Sequence, residues 1–433
     1  MPASLALHVH YAGSVRLRSI AARAVLVSAS AASVWAQSQP LKLDELVAQA
    51  LRANPEILAA QKRYEAARQR PTQESTLPDP MLSLGYQSVG SPYPVAGIGR
   101  EQLANAGITV SQEFPFPGKL SLRGGMAAKE AEADFQQYQT VQLNVVSRLK
   151  QAWYRLYYSY AATDVLTRDR ELLNKLLRVT DARYAVGKAA QQDVFKAQTQ
   201  ISILETRLVK LEQERASAEA EINSLLHRPA GMPVARPEDL KPKQFALNLD
   251  QLYNGARAES PMLRRDQKMI ERTELALNLA RKDYYPDYTL TAGYFNQGSL
   301  APMYMARVDF KLPAYFWRKQ RAGVAEQASN EVEARHNYEA TDQGLRFRIK
   351  DDYLMAQASW KLMELYGKTV VPQASLALES SLSTYETGSV DFLSVLTNFS
   401  MVLEYEMNYY EELANYYQAL SRLEEMTAQK LTD

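Results

Sequence analysis

The chain has no cysteine among its 433 residues and only four histidines. Disulfides, iron–sulfur ligation, cysteine nucleophiles and an acylated N-terminal cysteine are thereby excluded. A bias of charge is missing too. With 50 Lys and Arg against 49 Asp and Glu, and no prominent like-charge run, a nucleic-acid groove or a polybasic membrane anchor has no support. Beyond the N-terminal region no segment offers the roughly 18 consecutive apolar residues of a membrane-spanning helix. Gly-rich phosphate loops, His-Glu-x-x-His and Gly-x-Ser-x-Gly are absent, and His227 and His336 stand far apart, so the residues suggest neither catalysis, nor a cofactor, nor a metal site. From Met126 to Val186 there is neither glycine nor proline. An uninterrupted helix of that length does not fit an ordinary compact domain.

What is present begins with an export signal. Arg16, Arg18 and Arg23 precede a mostly small or apolar run ending Val34-Trp35-Ala36, which predicts a signal peptide over 1–36. The remainder says the same thing twice. Leu43-Asp44-Glu45-Leu46 with Asn54-Pro55 returns as Leu249-Asp250-Gln251-Leu252 with Ser260-Pro261. Pro78-Asp79 with Gly85-Tyr86 returns as Pro286-Asp287 with Gly293-Tyr294, and Tyr184-x-x-Gly187 returns as Tyr385-x-x-Gly388. A period of roughly 200 residues is a duplicated domain, not a solenoid repeat.

Each copy reads as helix, β-hairpin and long helical hairpin. The first spans 37–228, with a hairpin over 81–116 and a helical hairpin over about 119–228. A proline-rich linker, 229–248, leads to the second at 249–433, with a hairpin over 287–312 and helices over about 315–431. Gln192 to His227 is heptad: Val194, Ile201, Leu208 and Ile222 fill one seam position, with Arg215 the exception, and Ala197, Leu204, Leu211, Ala218 and Leu225 fill the other. Gly344, Gly367 and Pro372 predict interruptions of the second long helix.

In the last predicted strand Tyr304, Ala306, Val308, Phe310 and Leu312 alternate with Met303, Met305, Arg307, Asp309 and Lys311. Lipid on one face and water on the other produce that alternation, as does a sheet on a soluble core. The export signal favours outer-membrane lipid, with Arg307, Asp309 and Lys311 in a barrel lumen. Tyr86, Tyr294, Phe295 and Tyr304 are candidates for an interfacial aromatic girdle. Four strands cannot enclose a polar lumen, whereas three copies supply twelve. The fold class expected is an α+β membrane protein, mainly α.

The order of these motifs resembles the TolC family of outer-membrane efflux ducts over almost the whole mature chain. Leu43-Asp44-Glu45-Leu46 with Asn54-Pro55 is similar to the family's opening signature. Arg183-Tyr184-Ala185-Val186-Gly187 ending in Asp193-Val194, and Tyr385-Glu386-Thr387-Gly388 with Asp391-Phe392-Leu393, are similar to its two helical tips. Gln112-Glu113-Phe114-Pro115-Phe116-Pro117-Gly118-Lys119-Leu120 resembles the subgroup accompanying heavy-metal pumps (CusC- and CzcC-like).

The resemblance implies a homotrimer sharing a 12-stranded β-barrel and a long periplasmic α-helical barrel. A periplasmic adaptor would dock it on an inner-membrane pump of the resistance–nodulation–division type. It also implies a pore constriction with an acidic ring at Asp391 and a restraining Asp193. Ser394 stands where the family often has a second acid, and Lys188 is left as the candidate closing cation. Tyr184, Gly187, Tyr385 and Gly388 would mark the turns met by the adaptor. For both aspartates helix capping competes with the gate role. Heavy-metal cations are the expected cargo. Multidrug efflux, type I protein secretion and, in another class, a structural periplasmic coiled-coil protein are the alternatives.

Overall fold

The computed structural model describes residues 42–432 apart from 91, 102 and 247, so the expected leader lies outside the described residues. The duplicated opening folds alike twice, as α1 (Leu43–Ala53) and α6 (Leu249–Glu259), with Leu46 and Leu252 buried and Ala50 and Ala256 one turn on. Proline then restarts the helix in each copy, as α2 (Pro55–Ala67) and α7 (Pro261–Lys282), because the first helical position needs no N–H donor. Asn54 caps α2 by accepting from Glu56 N at 2.9 Å, and its Nδ2 donates to Leu225 O at 2.9 Å. One buried side chain thus joins the opening helices to the coiled coil. A short α3 (Arg70–Ser75) leads into the first hairpin.

Strands β1 (Met81–Gln87), β2 (Asn105–Phe114), β3 (Asp287–Asn296) and β4 (Met303–Lys311) form one antiparallel sheet in sequence order. The two hairpins therefore meet at β2 and β3, and β1 and β4 are left as free edges. After Gly118, at φ +90°, the chain enters α4 (Lys119–Ala185), whose 67 residues span about 100 Å.

It returns as α5 (Gln191–Leu225). The expected seam holds: Ala197, Leu204, Leu211, Ala218 and Leu225 are all buried, while Ile201 and Leu208 are half-buried. The exception, Arg215, lays its guanidinium 5.4 Å from the Tyr160 ring centroid instead of entering the seam.

The second helical hairpin is α8 (Lys319–Leu365), a π-helical turn at Tyr366–Val370, α9 (Val371–Thr387) and α10 (Phe392–Thr427). Gly344 does not interrupt α8, contrary to expectation; a lone helical glycine costs only about 1 kcal/mol, which a long packed helix absorbs. Gly367 and Pro372 do mark a break. A Cβ at Gly367 would lie 2.9 Å from the Tyr409 ring, and Pro372 removes a backbone donor, so the ladder slips to the wider turn.

Two buried clusters run along the helices, one around Leu149, Leu156, Ile222 and Leu420, the other around Leu166, Leu204, Phe392 and Phe399. Most of the abundant tyrosine belongs to this packing. Tyr154 stacks on Tyr417 at 5.2 Å, and Tyr416 lies 5.2 Å from Trp360. The Tyr417 hydroxyl donates to Lys241 O at 2.8 Å, which ties the linker to α10.

Candidate functional site

Cross-strand register sorts the sheet into two chemical faces. Val110 pairs with Leu82 and Ala292, Ile108 with Leu84 and Tyr294, and Leu290 with Val308, so apolar residues meet apolar residues across all four strands. This face is open in the single chain: Leu84 is 80% exposed, Phe310 62% and Val308 51%. Aromatic rows bracket it. Phe114, Tyr288 and Phe310 form one, with ring centroids 5.3 and 6.4 Å apart, and Tyr294 with Tyr304, at 5.6 Å, the other. Six residue steps along β3 separate these rows, about 20 Å of strand. An apolar band flanked by aromatics is the pattern of a sheet face turned to lipid. Among the described residues no helix is long and apolar enough to cross a membrane.

The opposite face carries Ser83, Thr109, Thr291, Arg307, Asp309 and Lys311. Arg307 Nε lies 2.9 Å from Asp309 Oδ2, and Lys311 stands opposite Asp287. Phe295 belongs to this polar face, so its expected place in the girdle is corrected. Its ring fills the space above Gly107 and Gly293, where added Cβ atoms would come within 2.1 and 2.9 Å of it. Tyr86, Tyr294 and Tyr304 do share the apolar face.

The subgroup-like Phe116-Pro117-Gly118-Lys119 segment is a clasp between the two copies. Phe116 N donates to Asp287 Oδ1 at 2.7 Å, and Lys119, buried, reaches Asp287 at 3.0 Å and Asp283 at 3.2 Å. Phe116 also stacks on Tyr285 at 4.5 Å. Strand-to-helix transitions of both repeats are thereby held to one another. This role for Lys119 and Asp287 was not among the sequence expectations.

At the far end of the helices both tips end in the same backbone device. Gly187, φ +69°, is followed by Lys188 N donating to Arg183 O at 2.8 Å; Gly388, φ +87°, by Ser389 N donating to Thr384 O at 3.1 Å. Each glycine occupies the left-handed position that closes a helix C-terminus.

The side chains differ. Tyr184 is 45% exposed, while Tyr385 is 3% exposed, with its hydroxyl 3.4 Å from Thr180 Oγ1. Arg183 covers Tyr385 with its guanidinium 4.6 Å from the ring centroid and donates to the carbonyls of Tyr385 and Glu386. It caps α9 from the other hairpin and joins the two tips. The motif contained Arg183; the signal was its cationic position beside a residue, Thr384, of no charge in the second copy.

Asp391 is the N-cap of α10: its Oδ1 accepts from Ser394 N at 3.3 Å and from Ser394 Oγ. Those bonds from Ser394, with Lys196 of α5 adding attraction, hold the exposed carboxyl below the ordinary aspartate range. Within one chain Lys196 is the cation that acts on Asp391, while Lys188, the candidate closing cation, is exposed and makes no salt bridge among the described residues. Asp193 is not a cap. It sits in the first turn of α5, whose cap is Ala190, and so matches the place of Ser394 rather than of Asp391.

Fold and site define an outer-membrane channel with helices that reach into the periplasm. The chain belongs to the family described as outer membrane efflux protein, which matches residues 46–227 and 252–429, one span per repeat. It is 23% identical to the outer membrane protein TolC of Vibrio cholerae over 84% of each chain. It is 19% identical to the cobalt-zinc-cadmium resistance protein CzcC of Cupriavidus metallidurans over 89% of each. Among solved structures, the outer membrane protein VceC of Vibrio cholerae superposes with a TM-score of 0.76 at 18% identity, covering 90% of this chain and 97% of that one. The protein is an outer-membrane efflux channel reaching into the periplasm, and not an enzyme.

Proposed function

We propose that three copies form the exit duct of a tripartite efflux system, with a shared 12-stranded barrel and a helical tube conducting cargo passively from an inner-membrane pump. The two-faced sheet carries this reading. Its four strands are too few to close around the polar face, and its apolar face is unsatisfied in a single chain. Energy would come from the pump, of the resistance–nodulation–division type, through a periplasmic adaptor seated on the turns at Gly187 and Gly388. Exposed Tyr184 suits such a contact; Tyr385 supports the turn from inside.

The cargo we infer is heavy-metal cations. The likeness to a cobalt-zinc-cadmium resistance protein and the Gln112–Leu120 segment support this. So does the acid at the tip: three Asp391 carboxylates around one axis attract cations and repel anions. Asp193 would restrain the neighbouring helix pair, Ser394 would tune Asp391, and Arg307, Asp309 and Lys311 would line the upper lumen.

A deletion strain exposed to divalent metals, copper, silver and common antibiotics tests the cargo. Selective metal hypersensitivity, reversed by the gene in trans, is expected; broad drug sensitivity with normal metal tolerance would overturn it. A duct also fractionates with outer membranes and runs as a heat-modifiable trimer, whereas a periplasmic coiled-coil protein is soluble.

A further inference from the structure

Each repeat passes from strand to long helix through a short junction, and the two junctions differ in what covers them. The first runs from Pro115 to Lys119 with three residues between, and it is closed from within: Phe116 is half-buried against Tyr285, and Lys119 is buried on Asp283 and Asp287. The second runs from Pro313 to Lys319 with five residues between, Ala314-Tyr315-Phe316-Trp317-Arg318. Its rings stay largely outside: Tyr315 is 69% exposed, Trp317 55% and Phe316 50%.

Those rings are nonetheless held in one arrangement. Phe316 and Trp317 meet edge to face at 5.1 Å, Tyr315 lies 6.2 Å from Trp317, and Tyr284, just past α7, lies 6.5 Å from Phe316. The carbonyls of the turn take up early donors of α8: Tyr315 O accepts from Lys319 N at 2.9 Å, and Phe316 O from Arg321 N at 3.1 Å. With these N–H groups occupied, any charge recognised here is read by side chains and not by the helix terminus.

The side chains available are cationic. Between Asp309 and Glu326 there is no acid, and Lys311, Arg318, Lys319 and Arg321 all fall in that stretch. Lys311 belongs to the polar face of the sheet, whereas the other three follow the rings, are exposed and make no ion pair among the described residues. Exposed Leu312 carries the apolar face of β4 directly into the turn, past the row of Phe114, Tyr288 and Phe310. Aromatic rings followed by free cations at the border of an apolar band suit the headgroup zone of a bilayer, where rings sit at the boundary and long cationic side chains reach phosphates.

We propose that Tyr315, Phe316 and Trp317 seat in the headgroup layer on the periplasmic side of the outer membrane, with Arg318, Lys319 and Arg321 binding the phosphates of anionic glycerophospholipids. Charge selects the lipid class. A zwitterionic headgroup sets an ammonium beside each phosphate, whereas a phosphatidylglycerol or cardiolipin headgroup brings net negative charge to three cations that have no acid of their own. The first junction offers no such place, because its lysine is engaged by two aspartates. The duplicated chain therefore carries this site once. It rests on lipid against the apolar sheet face and not on how many copies close the barrel.

A native reporter stands inside the site. Among the described residues tryptophan occurs at 153, 317 and 360, and Trp153 is buried. The full chain is reconstituted in phosphatidylcholine bilayers in which a minor, equal fraction of the lipid is either phosphatidylglycerol or phosphatidylcholine with acyl chains brominated near the headgroup, which quench tryptophan on contact. The part of the quenching that Trp317→Phe removes belongs to Trp317. Each cation at an anionic surface is worth about fivefold in affinity, so brominated phosphatidylglycerol should be preferred at Trp317 by roughly tenfold or more. Arg318→Gln with Lys319→Gln and Arg321→Gln should bring the two lipids to equal quenching while Trp317 stays in contact with lipid.

Equal quenching by both lipids in the wild type, or a preference that the triple variant keeps, overturns the headgroup site. Phe310→Trp, made in the Trp317→Phe chain, reports on the sheet face alone. Quenching there without quenching of Trp317 also overturns the site, and gives the rings to a protein contact such as a neighbouring copy. Quenching at neither position overturns the lipid face on which the site depends.

Discussion

At Asp391 one carboxylate serves two ends, capping α10 and, in the proposed ring, facing the axis. Its hydrogen bonds from Ser394 depress its pKa, so the charge survives to lower pH than an ordinary aspartate's. Cation preference of single channels should therefore persist into acid, and Ser394→Ala should move its loss to higher pH, with Asp391→Ala abolishing it. Reversal potentials across a salt gradient, taken as pH is lowered, read both. An unchanged midpoint in Ser394→Ala would detach the serine from the constriction.

Asp169 is a residue of the opposite kind. Buried in α4 with Oδ2 unpaired, it is pushed up to about 6 by burial, against the pull of Arg168, and Glu406 pushes it further. A carboxyl whose folded pKa exceeds its unfolded one gains stability as pH falls through the folded value and lacks it above. Asp169→Asn should thus stabilise at pH 8, on the order of 2 kcal/mol, with the gain fading towards pH 4. Melting of the detergent-solubilised protein across that range decides it, and a pH-independent difference would refute the charge argument.

Between elements, α4 and α7 are joined by a closed quartet of alternating charge. Lys129 lies 2.9 Å from Glu271 and 3.2 Å from Glu132, and Lys268 lies 2.9 Å from Glu132 and 3.2 Å from Glu271. Burial alone would raise the two carboxyls, but both lysines together hold them low; the glutamates in turn hold the lysines high. The carboxylate share of this stability is present above the unfolded carboxyl range and lost as pH falls through the depressed values. The lysine share is lost as pH rises through their raised values. The sites are half-exposed, so each pair is worth about 0.2–1 kcal/mol. Glu132→Gln with Glu271→Gln should lower the melting temperature at pH 7 and make no difference in strong acid. An equal loss at both extremes would mean that shape, not charge, was removed.

Across the whole molecule the sequence carried the plan wherever a pattern repeats along the chain. The strand alternation, the Ala197–Leu225 seam and the two glycine turns were all legible because periodicity and positive φ leave local marks. What was not legible arose from residues far apart meeting. Lys119 finds Asp287 across 168 positions, and Arg183 finds Tyr385 across 202. No spacing encodes such meetings. The second tip shows the same limit: the Tyr-x-x-Gly match made Tyr184 and Tyr385 equal, and the neighbouring hairpin made one exposed and the other buried.

The two tips therefore share a backbone and differ in side chains, and this bears on how a partner counts them. A protein gripping the turns through main-chain groups would find six equivalent handles around a trimer. One reading side chains would find three, alternating with three of another kind, and the stoichiometry of the assembly would follow from which language it reads.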